Sequence, residues 1–419
     1  MSPNGHPAVR IHEVPVPEPD LTPEAVISRA RALIPAIRDQ QDEAERLGHH
    51  TAELDRKFAA AGFYRILQPR RFGGYEFGLP TFWQVMLAVS AGDPGTGWGL
   101  TLGAHHALVV GSYFSEDGQR AIFGSAGDFR CPHRPPPMGT AEPTGKRAGE
   151  VGGGYVVSGT WDYCSGIAHA THFMGNAMVA GTTERIAVVI PREQVTVLDD
   201  WGDGAVLGMN SSGSNSVRVD AVFVPVHRTA PGDWTHLEAQ APGAALHGNP
   251  MYCGRIYAVY HAGLVIPVIG AARAALEEYE QIIATRLTYF PPQVPRYTHP
   301  DYQRTYGQAL ALTDAAEAIV LQAGEQYMAL AERWDQAGEP FSREQDVRLF
   351  AMLQQAGQLA ARAVEIIFAA AGSSAAKRGT RLQRYYRDVA MYQGHIASQY
   401  LSTAGELARV HFGLPDSLF

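Results

Sequence analysis

The sequence predicts an α+β protein in which helical regions flank a central β region. Three observations support this fold class: helical spacing of apolar residues in the first third, a change to Gly, Pro and β-branched residues between Phe129 and Pro225, and long helical patterns afterwards. The predicted parts are, in order, a flexible tail (1–20), a helical domain (21–128), a small β-barrel domain (129–232) and a four-helix bundle (233–419).

Composition and charge narrow the class of protein. The chain has 419 residues, 46% hydrophobic and 18% charged, which is enough apolar material for a large core and for subunit interfaces. A formal net charge of −8 and the lack of any basic run argue against nucleic-acid binding. Three scattered cysteines form no CxxC pair, so we expect neither disulfides nor zinc, and a reducing cytoplasmic location.

Two segments bear on membrane targeting. The first twenty residues are rich in proline and lack the apolar core of a signal peptide. The most apolar stretch, residues 257–276, is interrupted by His, Pro and Arg side chains, so it predicts a buried helix rather than a membrane span.

The first third of the chain contains helix signals in order. Thr22 followed by Pro23 predicts a helix start, and apolar residues keep helical spacing as far as Ile37. Two further helices are predicted over 51–61 and 80–92. Asp93 is expected to cap another helix that continues through Val109, and this helix is apolar enough to be central.

The middle of the chain contains short strands separated by turns. One stretch, residues 152–172, combines a glycine turn, a strand, a second turn at Ser158-Gly159, and an extended run that places Trp161 near Ser165. Any antiparallel sheet could contain such a hairpin, so a purely structural role is the alternative. The predicted strands are Tyr155–Val157, Ile186–Ile190, Val195–Leu198 and Val217–Val224.

The last part returns to helices of bundle length. Ser342 with Gln345 forms a capping box that opens one of them, and Gly372 closes it. The other three are predicted over 264–285, 308–336 and 382–410.

Several motifs are absent or fail. The chain has no G-x-G-x-x-G run for a dinucleotide and no G-x-S-x-G nucleophile elbow. Residues 139–147 resemble a P-loop only superficially, because Arg147 stands where Ser or Thr should bind magnesium. The paired histidines at 49–50, 105–106 and 169–172 lack ligands at metal spacing, so we predict no metal site.

The order of helices, β domain and four-helix bundle resembles the acyl-CoA dehydrogenase fold over nearly the whole chain. Within this fold the chain is similar to the reduced-flavin-dependent monooxygenases, the oxygenase components of two-component aromatic hydroxylases such as 4-hydroxyphenylacetate 3-hydroxylase. The stretches that carry the resemblance are 60–74, 93–106, 152–170, 211–217 and 382–395.

The resemblance implies a function and a set of partners. A separate NAD(P)H:flavin reductase would supply reduced flavin, FADH2 or FMNH2, which reacts with O2 to form a C4a-hydroperoxyflavin. The oxygen would pass to a phenolic or other electron-rich aromatic substrate. Separately, the low charged fraction and the long apolar bundle helices leave more apolar surface than one subunit would bury, so we expect a homotetramer.

The resemblance also implies site residues, carried over position by position. The W-x-x-x-S-G stretch places Trp161 beside the flavin ring and the Ser165 hydroxyl within reach of N5. Ser214, in the segment that matches Arg-Gly-Thr-Gly-Ser of relatives, is expected to bind cofactor. His106 matches a histidine of the substrate pocket, and His395 a histidine that faces the flavin. The glycine-rich helix end that contacts the cofactor of a neighbouring subunit corresponds to Gly372, Ser373 and Ser374.

The chain departs from the family at two places. Cys131-Pro132-His133-Arg134 stands where some relatives have serine before a P-M-G turn. Residues 210–214 read Asn-Ser-Ser-Gly-Ser instead of Arg-Gly-Thr-Gly-Ser. Both departures affect the expected substrate rather than the expected fold.

The choice between oxygenase and dehydrogenase depends on His395. A dehydrogenase of this fold removes an α-proton with a carboxylate, commonly shortly after an Arg-Asp pair. Here the pair is Arg387-Asp388, and residues 391–396 offer no carboxylate. A histidine can instead deprotonate a phenol, because its pKa is easily placed near neutrality. We expect His395 on a helix that starts near Leu382, one to two turns beyond the pair.

Other functions stay open at this point. They are N- or S-oxygenation on the same scaffold, an acyl-CoA dehydrogenase with its base elsewhere, and a flavin-binding protein without turnover. Taken individually, His106 and His395 could also be core histidines bonded to carbonyls.

Overall fold

The computed structural model describes residues 14–124, 127–145, 153–202, 204–234, 237 and 239–415. Most of the predicted tail, residues 1–13, and Gly152 of the predicted glycine turn lie outside the described residues. In the described part, helices precede and follow one sheet, as the sequence predicted. The last tail residues are docked, since Val14 pairs with Phe72 and Glu18 binds Arg29.

The N-terminal helices begin at the predicted caps. The Thr22 hydroxyl accepts from the Ala25 backbone N–H at 3.2 Å, and Asp93 accepts from Thr96 N–H at 2.9 Å. The predicted helix from Asp93 through Val109 is broken at His105, which ends one helix and precedes the next. These helices are α1 (Pro23–Asp39), α2 (Gln41–Leu47), α3 (Ala52–Ala60), α4 (Leu79–Gly92), α5 (Pro94–Ala104), α6 (His106–Tyr113) and α7 (Glu116–Phe123).

Seven strands in the described residues form one sheet in the order β5-β6-β2-β1-β3-β4-β7. All neighbours are antiparallel except β1 and β3, which are parallel. The four predicted strands are present as β2, β4, β5 and β6. The bounds are β1 (His133–Thr144), β2 (Gly154–Trp161), β3 (His172–Val179), β4 (Arg185–Pro191), β5 (Thr196–Val197), β6 (Val217–Pro225) and β7 (Thr229–Pro231).

One expectation for the sheet is wrong, and another is not confirmed. The predicted turn at Ser158-Gly159 is not formed, because β2 runs through it with an irregularity in its pairing to β6. A Cβ on Gly159 would lie 2.6 Å from the Cα of Gly139, so glycine allows two strands to approach closely. The predicted small barrel or sandwich is not confirmed, because the described strands form one sheet whose two edges are β5 and β7. The sheet curls instead, and Val188 of β4 shares a core with Val219 of β6.

Long helices return after the sheet, and four of them, α9 to α12, pack on one another. The predicted helix over 382–410 is divided, because α12 ends at Gln393 and a separate helix follows. The C-terminal helices are α8 (Pro242–His247), α9 (Tyr257–Thr285), α10 (Pro300–Ala337), α11 (Arg343–Ala371), α12 (Arg381–Gln393) and α13 (Tyr400–His411).

Helix α9 is the centre of the main hydrophobic core. It packs against α4, α5, α11 and α12. It is the one helix of the described chain that is long and apolar enough to cross a membrane, but 83% of its most apolar window is buried inside the protein. This agrees with the prediction of a buried helix.

Candidate active site

The site is built where α5 meets the loop of residues 208–214, which we call the serine loop. Gly95 and Gly99 of α5 face this loop, and a Cβ on Gly99 would lie 2.5 Å from the Ser212 carbonyl oxygen. The glycines that make α5 a poor helix former in isolation therefore allow the serine loop to lie directly on the helix.

Three serine hydroxyls and one indole form a continuous hydrogen-bonded chain. The Trp98 indole N–H donates to Ser165 Oγ at 3.0 Å, and Ser165 Oγ lies 2.7 Å from Ser214 Oγ. Ser214 Oγ in turn lies 2.6 Å from Ser212 Oγ. All four side chains are buried. The structure thus brings together Ser165 and Ser214, two residues that the sequence assigned to the cofactor.

Two buried carboxylates hold the serine loop in place. Asp93 accepts a hydrogen bond from the Ser211 hydroxyl, and Asp388 Oδ1 accepts from the Met209 backbone N–H at 2.6 Å. Burial, together with the nearby Asp93, raises the pKa of Asp388 to about 8. Because Asp388 is buried and bonded to the loop, its role here is to fix the position of the serines.

His395 lies beside the same indole. Its ring meets the Trp98 ring edge-on, with centroids 5.6 Å apart. The expectation that His395 is helical is wrong, since α12 ends at Gln393 and the His395 N–H bonds the Tyr392 carbonyl just beyond it. Burial, and then the charge of Arg134, lowers the pKa of His395 to about 4, so the ring is neutral at physiological pH. This pKa lies below the near-neutral value on which the sequence-based expectation for His395 depended.

His106 is paired with its neighbour His105. His106 Nδ1 lies 2.7 Å from the Cys131 carbonyl oxygen, which can only accept, so Nδ1 carries the hydrogen. Burial lowers the pKa of His106 to about 4, so its Nε2 is bare and accepts from His105 Nε2 at 2.8 Å. This leaves His105 Nδ1 as a bare, buried acceptor without a partner in the described residues.

The hydrogen bonds of the histidine pair bear on the role predicted for His106, which stays a prediction. Both ring nitrogens of His106 are bound within the protein, and one of them bonds a carbonyl, as the structural alternative anticipated. His105 carries the bare nitrogen instead. His105 directly follows α5, seven residues or about two helical turns after Trp98, so the two side chains are on the same face. This spacing could have identified His105 from the sequence.

A wall of aromatic side chains, buried except for the half-buried Tyr260, lies next to the histidine pair. His133 is bonded to the Tyr260 hydroxyl at 2.6 Å and to Asn176 Oδ1 at 3.1 Å. The rings of Tyr260 and His105 are 5.2 Å apart, and those of His133 and Trp234 are 5.3 Å apart. The Trp234 indole N–H has no partner within the described chain. His133, which departs from the family pattern, is therefore part of this wall.

Trp161 is enclosed by the sheet. Its indole N–H donates to the Asn176 carbonyl at 2.9 Å, its ring packs against Phe173, and its side chain is fully buried. A Cβ on Gly175 would lie 2.9 Å from the indole. Trp161 therefore packs within the core of the sheet in this structure, and its predicted contact with the flavin stays a prediction.

Gly372, Ser373 and Ser374 lie elsewhere, at the end of α11. The Arg286 guanidinium donates to the Ser374 hydroxyl, and Arg296 donates to the Ala371 carbonyl at 3.2 Å. No hydrogen bond or ring contact in the described residues joins this group to Ser165 or Trp98. Two arginines therefore lie beside the exposed Gly372 and Ser373 and the half-buried Ser374, and this group is separate from the serine chain.

One group of potential metal ligands is present in the described residues. Ligand atoms of His50, Asp55 and His169 lie within 4.8 Å of one another. Asp55, however, is bound by the Arg130 guanidinium at 2.7 Å and by the Tyr64 hydroxyl at 2.7 Å. The Arg130 guanidinium already neutralises the Asp55 carboxylate, which a metal cation would need as a ligand, so this geometry does not favour a metal.

The site has the features that a flavin ring needs. Gly103 of α5 is buried, yet a Cβ added there would meet no atom within 4 Å, which shows unfilled space beside the helix. Gly166, which follows Ser165, lies against Gly103. Unfilled space next to a buried hydroxyl suits a planar ring with a polar edge, so the residues present fit a flavin.

Comparison with known proteins agrees with this geometry. Residues 262–400 match the model of the acyl-CoA dehydrogenase C-terminal domain. The chain is 30% identical to a pigment production hydroxylase of Rhodococcus sp., over 95% of this chain and 99% of the relative. It is 26% identical to the flavin-dependent monooxygenase oxygenase subunit HsaA of Rhodococcus jostii, over 93% and 98%. The chain belongs to the flavin-dependent monooxygenases.

A solved structure supports the same assignment. The crystal structure of 3-HSA hydroxylase from Rhodococcus sp. RHA1 matches with a TM-score of 0.82 and 26% identity, over 94% of this chain and 98% of that one. The protein is thus an oxygenase component with the acyl-CoA dehydrogenase fold, and it uses reduced flavin and O2.

Proposed function

We propose that this oxygenase component hydroxylates a phenolic or other electron-rich aromatic substrate. The observation that carries the proposal is the position of Trp98, whose indole N–H binds Ser165 while its ring meets His395. One side chain thus joins the residue proposed to touch the flavin to a histidine proposed to touch the substrate. Relatives named p-hydroxyphenylacetate 3-hydroxylase and resorcinol hydroxylase support the substrate class.

Each residue has a distinct task in this proposal. The reduced flavin supplies the electrons that activate O2, of which one atom enters the substrate and the other leaves as water. Ser165 holds the polar edge of the flavin ring, and the buried serine loop excludes water from it. His395 and His105, both neutral because burial lowers their pKa, can take a proton from a phenol hydroxyl.

His106 acts through His105. If His105 Nδ1 accepts a proton, His105 becomes positively charged and its bond to His106 Nε2 strengthens. The Cys131 carbonyl at the far end stabilises the charge through the His106 N–H. His106 is therefore a positioning residue in this proposal, and His105 is the residue that contacts substrate.

The aromatic wall suits an aromatic substrate. Tyr260, His133 and Trp234 present ring faces beside His105, and flat aromatic compounds stack on such surfaces. The Trp234 N–H and His105 Nδ1 are buried and unpartnered in the described residues. A phenol hydroxyl can both accept from an indole N–H and donate to a bare imidazole nitrogen.

The group at the end of α11 is proposed to bind the flavin phosphates of a neighbouring subunit. Arg286, Arg296 and Ser374 supply charge and hydrogen-bond donors for a phosphate. A homotetramer is proposed with this role. Large apolar side chains stand exposed on a single chain, among them Tyr289 at 82% and Leu401 at 85%, and subunit contacts would bury them.

The remaining parts of the proposal concern partners and layout. A separate NAD(P)H:flavin reductase is proposed, because relatives are named oxygenase subunits or components and the sequence has no dinucleotide motif. A cytoplasmic location and domains over 21–128, 129–232 and 233–419 are proposed with it. The helix, sheet and helix order of the structure supports these boundaries.

A direct experiment tests the substrate class without the reductase. The protein is mixed with chemically reduced FAD or FMN, and oxygenated buffer is added with a panel of phenols, indoles, amines and thioethers. We expect a product 16 mass units heavier from at least one phenol, by the addition of one oxygen atom. Products from amines or thioethers alone would contradict aromatic hydroxylation. Oxidation of an acyl-CoA with an artificial electron acceptor would contradict the oxygenase mechanism.

A further inference from the structure

The direction of the hydrogen bonds in the serine chain decides what Ser165 can offer a ligand. A serine hydroxyl donates one hydrogen and accepts up to two. The Trp98 indole N–H can only donate, so it fills one acceptor position of Ser165. The bond between Ser165 and Ser214 could run either way. If Ser214 donates, both acceptor positions of Ser165 are filled and only its hydrogen is left.

The far end of the chain and the proposed flavin contact together decide this direction. Ser212 Oγ has one hydrogen-bond partner in the described residues, Ser214, and Ser214 Oγ has only Ser212 and Ser165. Three hydroxyl hydrogens serve two bonds, so one hydrogen is left over in either direction. If Ser212 donates to Ser214 and Ser214 donates to Ser165, the remaining hydrogen belongs to Ser165, where the proposed flavin contact supplies an acceptor. With flavin bound, the reverse direction leaves a buried Ser212 hydrogen without an acceptor, which lowers the population of that arrangement by roughly 5- to 150-fold.

We propose that Ser214 is a positioning residue that restricts Ser165 to donating a hydrogen bond to the flavin. This rests on the flavin contact proposed for Ser165. N5 of oxidised flavin accepts a hydrogen bond, whereas N5 of reduced flavin carries a hydrogen and can also donate. Ser165 can therefore bond N5 as a donor, but it has no acceptor position left for the N5 hydrogen of the reduced form.

The test is Ser214→Ala, which opens one acceptor position on Ser165. The dissociation constants of oxidised and anaerobically reduced flavin are measured by fluorescence titration, without substrate. We expect the ratio of oxidised to reduced constants to rise by roughly 2- to 12-fold, the value of one hydrogen bond. An unchanged or smaller ratio would overturn the proposal. Because no substrate is present, this outcome is independent of aromatic hydroxylation.

Two further variants separate this role from a structural one. Ser112→Ala removes an equally buried hydroxyl, which donates to the Leu108 carbonyl in α6, and should leave the ratio unchanged. In a Ser165→Ala background, Ser214→Ala should also have no effect on the ratio, because Ser214 acts through Ser165. An effect of equal size there would show that Ser214 touches the flavin itself and would overturn the proposal.

A conservative variant keeps the test valid if Ser214→Ala does not fold. Ser214→Cys preserves the shape of the side chain and replaces the hydroxyl with a weak thiol donor. The ratio should then move in the same direction by a smaller factor, about 1.5- to 4-fold, since a weaker donor holds the acceptor position less firmly. A ratio equal to that of the wild type would overturn the proposal.

Discussion

The sharpest test of the site is His106→Ala. In the folded protein His106 donates to the Cys131 carbonyl at 2.7 Å and accepts from His105 at 2.8 Å. Removal of the ring leaves a buried carbonyl oxygen and a buried N–H without partners. Each unsatisfied group costs about 1–3 kcal/mol, so the free energy of unfolding should fall by roughly 2–6 kcal/mol.

Two other variants show how much of this lost stability comes from each of the two unsatisfied groups. His106→Asn keeps a side-chain N–H near the Nδ1 position and should restore the bond to Cys131, and with it about half of the lost stability. His105→Ala leaves only one group unsatisfied, the Nε2 of His106, and should cost about 1–3 kcal/mol. If His105 is the proton acceptor, its removal should also lower hydroxylation by roughly 10²- to 10⁴-fold.

The assay is urea unfolding followed by tryptophan fluorescence, at one protein concentration because subunit association adds to apparent stability. Hydroxylation by reduced flavin and O2 is measured on the same preparations. The reasoning is refuted if His106→Ala unfolds at the wild-type urea concentration yet loses hydroxylation. That result would make His106 the substrate-contacting residue, as the family resemblance implied.

Four further predictions follow from the site and the surface. His395→Ala should lower the hydroxylation rate by roughly 10²- to 10⁴-fold, with the consumed oxygen recovered as peroxide. Loss of the ring contact with Trp98 should lower the free energy of unfolding by only about 0.5–1.5 kcal/mol. Substitution of the exposed His411 by alanine is the control, and normal hydroxylation by the His395 variant would give His395 a structural role. Since the pKa of His395 is about 4 and its neutral form is the base, activity should fall as pH drops through about 4, and loss already near pH 6.5 would contradict this. Ser165→Ala should bind reduced flavin but release peroxide sooner, through loss of one bond worth about 0.5–1.5 kcal/mol, and an unchanged peroxide yield would exclude the role. Light scattering should show a tetramer at micromolar concentration, and a monomer would contradict it.

Helix positions were predictable wherever the signal is local. Thr22, Asp93 and Ser342 each cap a backbone N–H three residues away, so the motif lies within one turn of sequence. The bundle helix was predicted from Leu264, whereas α9 begins seven residues earlier, at Tyr257, where the apolar stretch of residues 257–276 begins. Its cap is Asp346, which accepts from the first N–H groups of α9 across 88 and 89 residues. A cap supplied by another helix leaves no local pattern.

The strands, like the helices, were predictable where the signal is local and were missed where it comes from distant residues. The predicted strands β4 and β6 are rich in β-branched residues, which favour a pleated surface. Strand β1 contains four prolines and was missed, because proline removes hydrogen-bond donors and argues against a strand. Pairing with β2 and β3, with register shifts around Pro137, forms it nonetheless. Long-range pairing thus overrides the local preference.

The candidate active site required both the sequence and the tertiary structure to describe. The sequence alone predicted the acyl-CoA dehydrogenase fold and the order of helices, sheet and helices, and it singled out Ser165, Ser214 and His395 as candidates, because these lie in short stretches that resemble a family. Only the tertiary structure decided that Trp98 connects Ser165 with His395 and that His105 carries the bare nitrogen. The physical reason is that a hydrogen bond has a direction set by all its partners, and these partners come from helices and loops far apart in the chain.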